Sequence, residues 1–122
     1  MMVTNLISNP RAHVTLKPGE YTPISTIGKT AGVSYWCSVW LDVSGGSITI
    51  EGCPGTFSKS QRIGWAITAS ASNPMNLKCN VVSGSPTVNV TSMLLCDLEE
   101  YQANVDLIKS LNFFDGDTMP LA

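Results

Sequence analysis

The sequence predicts an all-β fold, an antiparallel β-sandwich with one short helix near the C-terminus. Three observations lead there. Apolar and polar residues alternate with a period of two along most of the chain, as half-buried strands require. Clusters of Gly, Pro and Ser interrupt the alternation at short intervals. Only the stretch 98–111 has apolar residues at steps of three and four. With 122 residues, of which 43% are hydrophobic and 13% charged, the chain fits one domain over 1–122. A domain of this size buries roughly two-thirds of the surface its unfolded form exposes.

The first strand comes from Val14 and Leu16, which alternate with His13, Thr15 and Lys17 until Pro18-Gly19 ends the run. A short strand is expected within 21–32. The next signal is a hairpin, 35–43 and 48–52 around Ser44-Gly45-Gly46-Ser47, because Gly-Gly accepts the positive φ angles of a primed turn. That register sets Val43 opposite Ile48, Leu41 opposite Ile50 and Trp40 opposite Glu51. Cys37, Val39 and Leu41 then face inward, and Trp36, Ser38, Trp40, Asp42, Thr49 and Glu51 share a polar face.

Ile63, Trp65, Ile67 and Ala69 alternate with Arg62, Gly64, Ala66 and Thr68, giving another strand with Trp65 in the core. Leu77, Cys79 and Val81 form one more, and Val88 with Val90 a further one, separated by a turn at Ser83-Gly84-Ser85-Pro86. The helix over 98–111 presents Leu98, Tyr101, Val105 and Ile108 on one side. Asp97 is placed to cap it, with Glu100 in capping-box spacing.

Composition excludes several functions. The net charge is −2 and the seven basic residues are scattered, so no basic stripe exists to follow a phosphate backbone. Nucleic acid is not an expected partner, nor is a membrane, since no apolar run approaches the roughly 18 residues needed to span a bilayer. The N-terminus lacks a signal-peptide pattern. The four cysteines form no Cys-x-x-Cys pair, so buried free thiols are expected and no thiolate metal site. The single histidine, His13, reads as a partly exposed strand residue. Neither a Gly-x-Ser-x-Gly elbow nor a phosphate loop is present, and no cofactor is expected. Asp42 and Glu51 are the nearest approach to a carboxylate pair, supported only by their shared face.

Two short stretches carry a resemblance. Asn5-Leu6-Ile7-Ser8-Asn9-Pro10 near the start and Phe113-Phe114-Asp115-Gly116-Asp117-Thr118 near the end resemble the edges of the jelly-roll, carbohydrate-binding-module-like domains of tailed-phage structural proteins, notably those of actinobacteriophages. The resemblance implies a jelly-roll sandwich and a non-enzymatic virion protein assembled in a bacterial cytoplasm. The expected role is a capsid decoration or minor capsid protein, with the major capsid protein and copies of itself as partners. The alternative it implies is a carbohydrate-binding module of a phage tail or baseplate contacting host glycans. In such domains the Asp-Gly-Asp-Thr stretch leads into a further aromatic segment, whereas here Met119-Pro120-Leu121-Ala122 follow. Residues 1–6 and 116–122 are therefore expected as extended arms, with Met119, Pro120 and Leu121 contacting capsid. Asp115-Gly116-Asp117 reads as a turn whose carboxylates bond backbone amides.

The binding candidates are Trp36, Trp40, Asp42 and Glu51. Two tryptophans on a polar sheet face must be covered by something. The cover is either the chain itself, a neighbouring protein, or a sugar bonded by the surrounding polar groups.

Overall fold

A computed structural model describes residues 2–7, 11–28, 30–70, 72, 74–106 and 118–120. Two long strands, β4 (Ser34–Ile50) and β8 (Cys79–Asp97), run antiparallel along nearly their whole length. They form the spine of the main sheet. β2 (Val14–Leu16) lies on the outer edge of β8. The other edge of β4 is shared by β6 (Gln61–Thr68) along Ser34–Leu41 and by β5 (Cys53–Phe57) near Ile48 and Ile50. A separate antiparallel pair joins β3 (Thr22–Gly28) to β7 (Pro74–Leu77). β1 (Met2–Thr4) pairs with β9 (Thr118–Pro120), and α1 (Leu98–Ala103) follows β8 directly. Every strand pairing among the described residues is antiparallel, so the all-β reading holds.

The core lies on one face of the main sheet. Cys37, Val39 and Leu41 of β4, Ile63 and Trp65 of β6, and Val88 and Val90 of β8 are buried there together with Ile24 of β3 and Met75 and Leu77 of β7. The β3–β7 pair thus closes a sandwich-like interior. A smaller cluster occupies the opposite face. Met93 and Leu95 join the main core, while Leu94 and Cys96 pack beneath Tyr101 with Trp36, Leu98 and Val105. This end of β8 is therefore buried on both sides, which explains its run of consecutive apolar residues.

The expected hairpin does not form. β4 continues through Ser44-Gly45-Gly46-Ser47, and β8 continues through Ser83-Gly84-Ser85-Pro86, the other expected turn; the two glycine stretches lie side by side, with Gly46 opposite Gly84. Gly45 has φ +84° and Gly84 φ +72°. Positive φ serves a β-bulge as well as a turn, so local composition could not distinguish them. The irregularity also shifts the alternation, which is how both Val43 and Ile48 point inward on one continuous strand. A Cβ on Gly84 would come within 2.5 Å of the Gly45 carbonyl oxygen, and one on Gly46 would overlap that of Ser83. Only glycine lets the backbones approach this closely.

β8 carries one extra residue at each of three register shifts, opposite Ser38/Trp40, Ser44/Gly46 and Ser47/Ile48. The last of these leaves Val81 46% exposed, not inward as its alternation with Cys79 suggests. The first is marked by Ser92, at φ +48°. Helix α1 begins where expected, with Asp97 Oδ1 accepting the Glu99 N–H at 2.9 Å. Ile108, Asn9-Pro10 and Asp115-Gly116-Asp117 lie outside the described residues.

Candidate functional site

β4 positions three of the four candidate binding residues. Trp36, Trp40 and Asp42 sit at alternating positions on the face away from the main core, with Ser38 between them. The faces expected from the sequence are therefore correct even though the hairpin is not. What differs is how each side chain is used.

Trp36 is covered by the chain itself. Its ring stacks on Tyr101 of α1 with centroids 4.0 Å apart and planes 7° from parallel. From below it rests on Gly64 of β6, where a Cβ would lie 2.6 Å from the indole. The helix exists to close this patch: its one buried residue is Tyr101. The stack contributes about 0.5–1.5 kcal/mol beyond the area it buries. Burial raises the Tyr101 phenol, with a smaller contribution from Cys96. Trp36 thus leaves no platform for a ligand.

Trp40 remains 37% exposed. Its indole N–H donates to Asp42 Oδ1 at 3.1 Å, which restrains the ring. Opposite it on β6 stands Arg62, whose Nη1 donates to the Ser92 carbonyl at 2.5 Å and lies 3.4 Å from Ser38 Oγ. Partial burial lowers the pKa of this guanidinium. Thr91 and Asn89, across β8, are held by the N-terminal segment: Thr91 Oγ1 donates to the Arg11 carbonyl at 3.0 Å, and Thr15 Oγ1 to Asn89 Oδ1 at 2.7 Å. Trp40 and Asp42 are the candidate residues left accessible on this face.

Glu51 does not belong with them. It lies past the end of β4, where both carboxylate oxygens are 2.8 Å from the Tyr21 hydroxyl that donates to them. This also overturns the Asp42–Glu51 pairing: Asp42 faces Asn89 in register, and Ile50 is the last β4 residue paired with β8. The hydrogen bond to Glu51 raises the Tyr21 phenol, with burial and the Glu51 charge adding to it. Lys78 Nζ stands 5.0 Å from the centroid of the Tyr21 ring, a cation–π contact. Together Tyr21 and Glu51 rim a cleft of about 440 Å³ lined also by Gly52, Trp65, Met75 and Asn76. No sequence signal marks this cleft, because Tyr21 lies in a stretch without clear alternation and meets Glu51 only through the fold.

The terminal segments, expected as extended arms, pair with each other in register Met2↔Pro120, Val3↔Met119 and Thr4↔Thr118. Leu121 lies outside the described residues. Cys37, Cys79 and Cys96 are buried free thiols and Cys53 a half-buried one. His13 is exposed. Among the described residues no three His, Cys, Asp or Glu side chains gather as a metal site, and no helix is long and apolar enough to cross a membrane. Comparison with known proteins finds no matching family model, no matching curated protein and no matching solved structure.

Proposed function

We propose that this chain is a non-enzymatic structural protein of a phage particle, a jelly-roll decoration or minor capsid protein bound to the head. The observation that carries the reading is the place of Asn5, which opens the first of the two resembling stretches. It is 1% exposed, and its side chain hydrogen-bonds the backbone of residues 7, 93 and 95. Asn5 therefore latches the start of the described chain onto β8. Trp40, hydrogen-bonded to Asp42 and partly open, is the anchor offered to a neighbouring subunit, since tryptophan is enriched among residues that dominate interfaces.

The terminal pair is the second contact. β1 and β9 bring both ends of the described chain to one place, where they extend toward a capsid subunit together. Deleting residues 119–122 removes two of the three β9 residues while leaving the β4–β8 spine and the Asn5 latch intact. Occupancy of the deleted protein on purified particles, measured by quantitative gel densitometry, is expected to fall while its thermal unfolding stays cooperative. Unchanged occupancy would refute the role of the terminal pair.

A second reading, a carbohydrate-binding module of a tail or baseplate, is favoured by the open Trp40 ring beside the Asp42 carboxylate. It is weakened by the loss of Trp36 to the helix, which reduces the aromatic platform to one ring. Glycan binding abolished by Trp40→Ala would favour this reading over head decoration.

A further inference from the structure

β6 stands at the margin of the main sheet beside β4, and among the described residues no strand pairs with its outer edge. Ala69 donates to the Val33 carbonyl and accepts the Gly32 N–H, and along the ladder that continues from it the odd-numbered residues of β6 bond β4. Gly64, Ala66 and Thr68 therefore turn their N–H and C=O groups outward, and all three residues are exposed. We propose that this edge pairs with the same edge of a second copy of the chain, antiparallel about a two-fold axis, and so joins two main sheets into one.

The first support is the lack of any guard. An open edge is a template for other strands, and native sheets protect theirs with charge, proline, bulges or brevity. The remaining edges of the main sheet show such protection. β2 is three residues long and runs into Lys17 and Pro18. β5 contains Pro54 and pairs irregularly, and the stretch of β8 beyond β2 carries Pro86 and the register shifts opposite Ser44/Gly46 and Ser47/Ile48. β6 has none of these: its eight residues hold unbroken register with β4, from Ser34↔Thr68 to Leu41↔Gln61, without proline, lysine or an acid. Its one charged residue, Arg62, draws its guanidinium back across β4 to the Ser92 carbonyl of β8.

The second support is access. The β3–β7 layer leaves this edge uncovered: on the inner side the cleft of about 440 Å³ lies between Ile67 and Thr68 of β6 and Met75 and Asn76 of β7. On the outer side Gly64 and Ala66 carry too little side chain to shield the backbone.

Symmetry and charge select the occupant. Edges are guarded chiefly against pairing with their own copies, so on an edge without guards self-pairing meets no opposition. Greatest overlap sets Gly64 opposite Ala66 and Arg62 opposite Thr68 of the second copy, with the axis beside Trp65. Arg62 then never faces its own counterpart, and Ile67, half-buried on the cleft side, comes opposite Ile63 of the second copy. The contact is isologous and consumes both edges, so assembly stops at a dimer. The inference goes beyond head decoration and rests on the sheet edges alone.

The test is sedimentation velocity of the full chain from about 1 μM to 1 mM, the range in which so small an interface associates. The wild type is expected to pass from monomer to dimer as concentration rises. Ala66→Pro removes one outward N–H without touching a bond to β4, and Ala66→Lys adds a charge of the kind that guards edges. Each is expected to weaken the dimer about tenfold or more. Thermal unfolding checks that the variants are folded, and Ala66→Lys, which keeps the backbone N–H, carries the test if Ala66→Pro is not. Val82→Lys, at a site 57% exposed on β8, is expected to leave the dimer unchanged. A wild type monomeric throughout overturns the proposal. So does a dimer of wild-type strength in folded Ala66→Lys, or one weakened as much by Val82→Lys as by Ala66→Lys. Particle occupancy is a separate measurement, and a chain absent from phage heads that still dimerises through β6 refutes decoration alone.

Discussion

Asn5 accepts the backbone N–H of Leu95 at 3.2 Å across a sequence separation of 90 residues. The same side-chain oxygen accepts the Ile7 N–H at 3.1 Å, and its amide donates to the Met93 carbonyl at 3.1 Å. The Leu6 N–H also donates to the Leu95 carbonyl, at 2.7 Å. These bonds surround the bulge at Ser92, while Arg62 holds the Ser92 carbonyl itself. A bulge frees backbone groups from the ladder, and a buried one must find them partners elsewhere. Asn5 supplies them and so closes the first residues of the chain onto its last long strand.

Replacing Asn5 with Leu keeps the branched shape with a bulkier side chain and removes the three side-chain bonds described above. The Met93 carbonyl and the Leu95 and Ile7 N–H groups then lose buried partners, at about 1–3 kcal/mol for each group left unsatisfied. A loss of at least about 2 kcal/mol is expected in urea unfolding, with a lower midpoint and an unchanged slope. A loss below about 0.5 kcal/mol would show that the latch is dispensable.

Tyr101→Ala removes the cover from Trp36 and leaves a hole beneath α1. Large-to-small changes of this kind cost about 3–5 kcal/mol when the ring is fully buried. In a Trp40→Phe background, where buried Trp65 remains as a constant contribution, the emission should shift to the red as water reaches Trp36. An unshifted spectrum would mean that something other than the helix shields the ring.

The paired glycines give a third expectation. Gly19 has φ +84° and open space around it, whereas Gly46 faces the Ser83 backbone. Gly19→Ala should cost about 1 kcal/mol from conformation alone. Gly46→Ala forces β4 and β8 apart and should cost about 3 kcal/mol, the upper part of the overpacking range. Equal losses at the two sites, measured by thermal unfolding, would place the close approach elsewhere.

Cys96 is 0% exposed, and burial, with Glu100 and then Asp97 adding charge, pushes its thiol from 9.0 up to about 12. Between about pH 9 and pH 12 the unfolded chain releases this proton and the folded chain keeps it. The folded state then binds more protons, so stability falls as pH rises through that window, by at most about 1.4 kcal/mol per pH unit from this group. Cys96→Ala should flatten the slope. A slope identical to wild type would assign the alkaline loss to other groups, Tyr101 first among them.

Much of the fold could be read from the sequence because burial on one face imposes a period of two. Cys37, Val39 and Leu41 announced the inner side of β4, Trp65 its core position, and Asp97 with Tyr101 the start and buried side of the helix. Pairing partners were harder to read. Gly45-Gly46 and Ser83-Gly84 each look like a turn when taken alone, and only their meeting across β4 and β8 makes them bulges. The site followed the same division. The outward direction of Trp36, Trp40 and Asp42 is a local property and was legible, whereas the stacking of Tyr101 on Trp36 and the capture of Glu51 by Tyr21 depend on contacts between distant segments.

The central claim, that this chain is a structural part of a phage head, is tested most directly by imaging an intact particle at side-chain resolution. The account predicts the β4–β8 sandwich in many copies at symmetric sites on the head, with Trp40 and the β1–β9 pair against neighbouring subunits. Particles that lack the chain, or that carry it at the tail tip alone, would contradict it.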